Sequence, residues 1–162
     1  MVGLNIDLIV VGKLKEKYLR QGIEEYVKRL SRYCKLNIIE IADESTSETM
    51  TEIEVNQVLT KEGERIQAYL KPDRKIWVLA IEGKLLSSED IAQEIEDYAT
   101  YGKSKLSIII GGSLGLAPFI KAQADLSISF GRITLPHQLM RLVCLEQIYR
   151  AFRIINHQPY HK

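Results

Sequence analysis

The stretch IIIGGSLGLA, residues 108–117, runs from a block of β-branched residues straight into three glycines within five positions. A short apolar run that ends this way reads as a buried strand feeding a loop whose backbone something approaches closely. The pattern is G-G-x-x-G. It is neither the G-x-G-x-x-G of the dinucleotide fold nor the G-x-x-x-x-G-K-[ST] of a P-loop. By itself it fits a structural turn as well as a cradle of bare peptide N–H groups for a ligand.

Working outward, strand-length apolar blocks alternate with helical periodicity, the pattern of an α/β fold with a mostly parallel sheet flanked by helices. Leu4 to Val11 reads as the first strand. A helix from Lys15 to Arg32 follows, with Leu19, Ile23, Tyr26, Val27 and Leu30 on its inner face. Leu36 to Ile41 is a second strand, and ADESTSETMT (residues 42–51) a polar loop. A helix from Thr51 to Leu70 is expected to turn Ile53, Val58, Ile66 and Leu70 inward, with Gly63 weakening its middle by about 1 kcal/mol relative to alanine. Lys71-Pro72-Asp73 is a stop. KIWVLAI, residues 75–81, is then a buried strand, and Ser87 with Asp90 forms a capping box for a helix ending near Tyr101-Gly102. Strands at Leu106 to Ile110 and Leu126 to Phe130 bracket a short helix at Pro118 to Gln123. Pro136 suits the first turn of a long C-terminal helix. The sum is five strands and five helices, without repeat or linker, in one domain spanning residues 1–162.

Composition narrows the function. Hydrophobic residues are 46% and charged residues 27%, ordinary for a globular domain and unlike disordered or fibrous chains. No stretch resembles a signal peptide or reaches the roughly 20 apolar residues of a membrane span, so a cytoplasmic protein without membrane contact is expected. Cys34 and Cys144 stand far apart with no metal-ligand spacing, which predicts idle buried thiols and no metal site. Net charge is only +1, but it is unevenly spread. Lys13 to Lys35 carries eight Lys/Arg against three Glu, Glu40 to Glu64 eight acids against Lys61, and Gly131 onward five Lys/Arg against Glu146. The acidic middle reads as solvated helix surface, whereas the basic ends suit either solvent or an anionic partner.

Three segments follow strands and so belong at the carboxyl edge of the sheet, where ligands of open α/β folds settle: Glu82-Gly83-Lys84, Gly111 to Gly115, and Gly131 to Leu135. Beyond the last helix, the tail NHQPYHK (residues 156–162) is basic and rich in His and Tyr, with no evident packing purpose.

At these residues the sequence resembles a known family. VGKLKEKY (11–18), Leu79 to Lys84, IGGSLG (110–115), LPHQLMR (135–141), EQIYRAF (146–152) and PYHK (159–162) together, in order over the whole chain, are similar to the RlmH family. These are small SPOUT-class methyltransferases that act on a pseudouridine of bacterial 23S ribosomal RNA. The resemblance implies a SPOUT-type fold with a C-terminal trefoil knot, a homodimer, and S-adenosylmethionine bound at the knot. Carried over by position, the cofactor contacts fall on Leu79, Gly111, Phe130, Gly131, Arg132, Ile133, Thr134 and Leu135. The glycines would let S-adenosylmethionine lie against backbone, which answers the question raised by residues 108–117.

Methylating N3 of pseudouridine requires donor and acceptor in line and the loss of the N3 proton. Candidates for this chemistry are His137, Arg141, Tyr160 and His161. Arg141 would stabilise negative charge on the base or hold a phosphate, and His161 or Tyr160, from the partner subunit, would handle the proton. His137 could equally pack the start of its helix. His157 reads as a surface residue, and Arg150 and Arg153 as solvent or dimer contacts. Lys162 stands where the family has arginine, losing bidentate phosphate geometry. With no RNA-binding extension, the assembled ribosome is the expected partner. Alternatives are a SPOUT methyltransferase of another RNA, such as tRNA, and a non-catalytic ribosome-associated module.

Overall fold

The computed structural model describes residues 3–102 and 104–161; Lys162 lies outside them. Strands β1 (Leu4–Val11), β2 (Cys34–Ile41), β3 (Lys75–Leu85), β4 (Lys105–Ile110) and β5 (Leu126–Ser129) alternate with helices α1 (Lys17–Leu30), α2 (Glu52–Gln67), α3 (Ser88–Thr100), α4 (Pro118–Lys121) and α5 (His137–Ile155). The strands form one parallel sheet in the order β2-β1-β4-β3-β5. All carboxyl ends therefore share an edge.

Period-2 alternation sorts the strand side chains onto two buried faces. Ile6, Leu8 and Val10 of β1, Trp77 of β3 and Leu106, Ile108 and Ile110 of β4 pack with Ile91 and Ile95 of α3 and Leu145, Ile148 and Phe152 of α5. Ile9, Val11, Ile76, Val78 and Ile109 meet Ile66 of α2, Leu116 and Ile120 on the other face. Burial on both sides explains why these strands read as unbroken apolar runs. Asp7, the one charge interrupting the first run, is neutralised by Arg74 at 2.8 Å, both side chains being buried. Cys34 and Cys144 are buried free thiols with pKa values pushed up to about 12 by desolvation. They are inert packing groups at neutral pH.

Several boundaries differ from the sequence reading, each for a local reason. The third strand does not stop at Ile81. It continues through Glu82-Gly83-Lys84 to Leu85, and both Leu79 and Lys84 register with Ile128 of β5, so residues 80–83 form an irregular outward excursion rather than a loop. Ile53 is exposed, not inward. It lies about two and a half turns from Glu62, which shares the inner stripe with Val58 and Ile66. Gly63 has a packing reason the helix-propensity argument missed, because a Cβ there would stand 2.6 Å from the Phe119 ring. Thr51 and Glu54 form a second capping box beside that of Ser87 and Asp90. Pro136 is the residue before α5 rather than within its first turn.

Candidate functional site

A cleft of about 670 Å³ opens at the carboxyl edge of β3, β4 and β5. Its floor is Leu79, Ile110 and Ile128, the last core residues of three adjacent strands. One wall is the loop Gly111–Leu116, the other the segment Ser129–His137, and Met140 closes the α5 end. The segments Gly111–Gly115 and Gly131–Leu135 thus meet as their positions after strands require.

The loop explains its glycines. A Cβ on Gly111 would stand 2.4 Å from the Gly115 carbonyl oxygen and 3.0 Å from Leu116. Any side chain there would push the two arms of the loop apart. The loop is closed by the Gly115 N–H donating to the Gly112 carbonyl at 3.1 Å. Opposite it, the Gly131 N–H donates to the Ser129 hydroxyl (3.2 Å), which donates to the Gly131 carbonyl (2.9 Å), setting the turn that leaves β5. Both walls offer main-chain polar groups from rigid turns.

Of the residues expected at a cofactor, Leu79, Gly111, Phe130, Gly131, Ile133, Thr134 and Leu135 line the cleft. Arg132 is exposed beside it and does not. Glu82, read in the sequence only as part of an edge segment, and Lys121 and Glu62, which that reading did not single out, also bear on the site. Glu82 and Lys121 pair across the rim at 2.8 Å, and that hydrogen bond holds the Glu82 carboxyl below its ordinary range. Glu62 is buried behind the glycine loop, accepting the Glu44 N–H at 2.9 Å. Burial first, then the nearby Asp43 and Glu44 charges, raise its pKa. Its signal was present as a carboxylate on the same helical face as Val58 and Ile66, where apolar residues belong.

The four residues expected at the chemistry divide. His137 lines the cleft, half-buried. Desolvation, and then the Arg141 charge, lower its pKa, so the imidazole is neutral at pH 7. Arg141 does not reach the cleft. Its guanidinium is enclosed, donating to the Glu40 carboxylate at 2.7 Å and to the Gly12 carbonyl at 3.2 Å. The reading of Arg141 as a contact to base or phosphate therefore gives way to a tie between the ends of β1 and β2 and helix α5.

Tyr160 and His161 lie elsewhere on the same chain. The tail folds back along α5, where the Tyr160 hydroxyl donates to Glu146 at 2.7 Å and its ring meets Tyr149 edge-on at 4.9 Å. Arg150 stacks over the Tyr160 ring at 4.7 Å and bonds His161 Nδ1 at 3.1 Å, while His161 Nε2 contacts Glu89. Arg153 donates to the Pro159 carbonyl at 2.7 Å and to the Tyr33 hydroxyl at 3.1 Å. Arg150 and Arg153, read as solvent or dimer contacts, thus anchor the tail. Glu146 is nine residues beyond His137, about 14 Å along the helix. Within one chain the described residues of the tail do not line the cleft.

The family model described as a predicted SPOUT methyltransferase matches residues 4–161. The chain belongs to the RlmH family of SPOUT methyltransferases. A relative named ribosomal RNA large subunit methyltransferase H from Limosilactobacillus reuteri is 57% identical over 159 residues, 98% of this chain and all of that one. A Listeria welshimeri protein of the same name is 55% identical over the same shares. The structure of a probable methylase family protein from Haemophilus influenzae Rd KW20 superposes with a TM-score of 0.54 at 11% identity, over all of this chain and 72% of that one, and supports the fold alone. SPOUT methyltransferases take their methyl group from S-adenosylmethionine. The cleft fits such a cofactor: its walls are the main chain of Gly111–Gly115 and of the turn after β5, over a floor of apolar side chains from three strand ends.

Two measurements follow from this geometry. Gly111→Ala should lose S-adenosylmethionine binding by at least about ten-fold in titration calorimetry, given 1.4 kcal/mol per decade, while far-UV circular dichroism shows the sheet intact. In an NMR titration the His137 imidazole should protonate with a midpoint below the ordinary value of about 6.5, and Arg141→Met should move it upward by removing the neighbouring cation.

Proposed function

We propose that this protein transfers the methyl group of S-adenosylmethionine to N3 of a pseudouridine in 23S ribosomal RNA, acting in the cytoplasm as a homodimer on the assembled ribosome. The observation that carries the reading is the cleft, in which the glycine loop Gly111–Gly115 faces Phe130, Gly131 and Ile133–Leu135 across the ends of three strands. Relatives of full-length similarity named for ribosomal RNA methylation support the substrate. A single domain and a C-terminal trefoil knot belong to the same proposal, supported by the approach of segment 129–137 to loop 111–116.

The cofactor supplies an electrophilic methyl on a sulfonium. Main-chain groups of Gly111–Gly115 and Gly131–Leu135 would hold and orient it, with Leu79, Phe130 and Ile133 excluding water and Arg132 at the rim. Attack by N3 follows removal of its proton. His161 is the better proton acceptor of the tail pair. The Tyr160 pKa is raised by burial and by its hydrogen bonds to Tyr26 and Glu146, so the phenol remains protonated and acts as a donor. His137, neutral in the cleft wall, would donate to or accept from the ring without adding charge. Because a tail docked on its own α3 and α5 misses its own cleft, Tyr160 and His161 would serve the partner subunit. Exposed Ile81 and Ile133 beside the cleft, 52% and 78% accessible, are apolar surface that a second copy would cover.

The test is methyl transfer from labelled S-adenosylmethionine to ribosomes from cells lacking this protein, in parallel with free ribosomal RNA, followed by nucleoside mass spectrometry. Methylated pseudouridine on ribosomes alone is expected. Transfer to neither, with cofactor bound, points to another RNA, and absence of cofactor binding overturns the methyltransferase assignment of the cleft. Deleting Tyr160 to Lys162 should abolish transfer while changing cofactor affinity less than about two-fold, some 0.4 kcal/mol. Retained transfer removes the tail from the mechanism.

A further inference from the structure

The basic cluster between Lys13 and Lys35 separates into two groups on the folded chain. Lys28, Arg32 and Lys35 lie at the far end of α1 and the start of β2, at the amino edge of the sheet. Arg29, beside them, is committed to Glu25 at 2.8 Å and lies over the Tyr26 ring. Lys13, Lys15, Lys17 and Arg20 lie in the β1–α1 loop and the first turn of α1, about 20 Å away along the helix, at the edge where the cleft opens.

This second group stands on a backbone held in place. The Leu14 N–H donates to the Glu40 carboxylate at 3.1 Å, and the Lys15 N–H to the Gln138 side-chain oxygen at 3.2 Å. Arg20 donates to the Leu14 carbonyl at 3.1 Å, and Arg141 to the Gly12 carbonyl at 3.2 Å. Gln138 adjoins His137 of the cleft wall, so the loop is pinned beside the site. The side chains of Lys13, Lys15, Lys17 and Arg20 are all exposed. None of the ion pairs among the described residues uses them. Within residues 13–20 Glu16 is the one acid against four cations; of the acids nearby, Asp43 lies near Gly12, Glu40 is paired with Arg141 and Glu24 stands one turn beyond Arg20. Tyr18, in the midst of the lysines, is 68% exposed.

Unpaired ammonium groups on a rigid backbone, interleaved with a bare aromatic ring, match a nucleic-acid strand: cations for phosphates, a ring for an unstacked base or ribose. An acidic peptide would account for the lysines but not for the ring. We propose that Lys13 to Arg20 form a ledge that binds the phosphate backbone of the RNA flanking the nucleotide in the cleft, with Tyr18 lying against an unpaired base. The proposal rests on the RNA reading above. Arg141 enters it as a positioning residue, because its bonds to Glu40 and Gly12 hold the loop against α5.

The test compares wild type, Lys13→Gln/Lys17→Gln, Tyr18→Ala and the control Lys28→Gln/Lys35→Gln. Lys15 stays in place because it lies close enough to His137 to act on its ionisation. Affinity for ribosomes and for isolated 23S ribosomal RNA is measured across a salt series, with cofactor affinity and methyl-transfer kinetics alongside. The Lys13/Lys17 variant should flatten the slope of log affinity against log salt by about 1.5 and bind roughly ten-fold more weakly at low salt. Its KM for RNA should rise with kcat and cofactor affinity unchanged. Tyr18→Ala should weaken binding without altering the slope, and the control should behave as wild type.

An unchanged slope in the Lys13/Lys17 variant, or equal flattening in the control, overturns the ledge. If the wild type binds RNA but transfers no methyl, the proposed function falls while the slopes still judge the ledge. Wild type that binds no RNA overturns both.

Discussion

Arg141 places a permanent charge where water is excluded, and such a charge must be paired. Its partners come from two different strand ends, Glu40 of β2 and Gly12 after β1, while the arginine itself belongs to α5. One buried guanidinium therefore joins α5 to two strand ends that lie more than a hundred residues before it in sequence. Glu40 also receives the Leu14 N–H, so the same carboxylate holds the first loop. The consequences spread along the carboxyl edge. His137, one turn before Arg141 on α5, is set against Gly12 and kept neutral partly by the arginine's charge. The basic loop is kept beside the cleft rather than free to drift from it.

The cleft is built on a different principle. Its walls are mainly turns whose shape comes from glycine and from local hydrogen bonds, and its floor is the end of the sheet core. Such a site depends little on side-chain chemistry. Gly111 is intolerant of substitution because the clash is with backbone, which cannot rotate away. Leu79 and Ile133 need only be apolar and of suitable size.

Much of this was legible in the sequence, because parallel strands buried on both faces leave a strong signature. Residues 4–11 and the core of residues 105–110 could be read from their apolar runs, and Ser87 with Asp90 marked the start of α3. Position after a strand brought Gly111–Gly115 and Gly131–Leu135 into one cleft. What escaped reading was set by distant contacts. Nothing near Lys84 announces that β3 continues past Glu82, since its partner Ile128 lies over forty residues away. Gly63 looks like a helix defect until Phe119 is packed on it. Arg141 looks like a substrate residue from its place after LPHQLM, and only the pairing with Glu40 reveals a different task.

The tail illustrates how a surface can be both ordered and available. Its bonds are numerous, but most involve groups that are only partly buried, such as Arg150 with Glu146 and Arg153 with Pro159. Interactions of that kind are individually modest and screened by solvent. They suffice to orient Tyr160 and His161 on the α3–α5 face, and they impose little penalty on small adjustments when a larger surface arrives. A tail buried in the core would be positioned but unable to adapt, and a tail without these anchors would have to be ordered at the moment of binding, at an entropic cost for each residue fixed. Arg150 over the Tyr160 ring, with Tyr149 against its edge, gives the intermediate solution: a short arm already shaped, resting on a helix face rather than sealed beneath it.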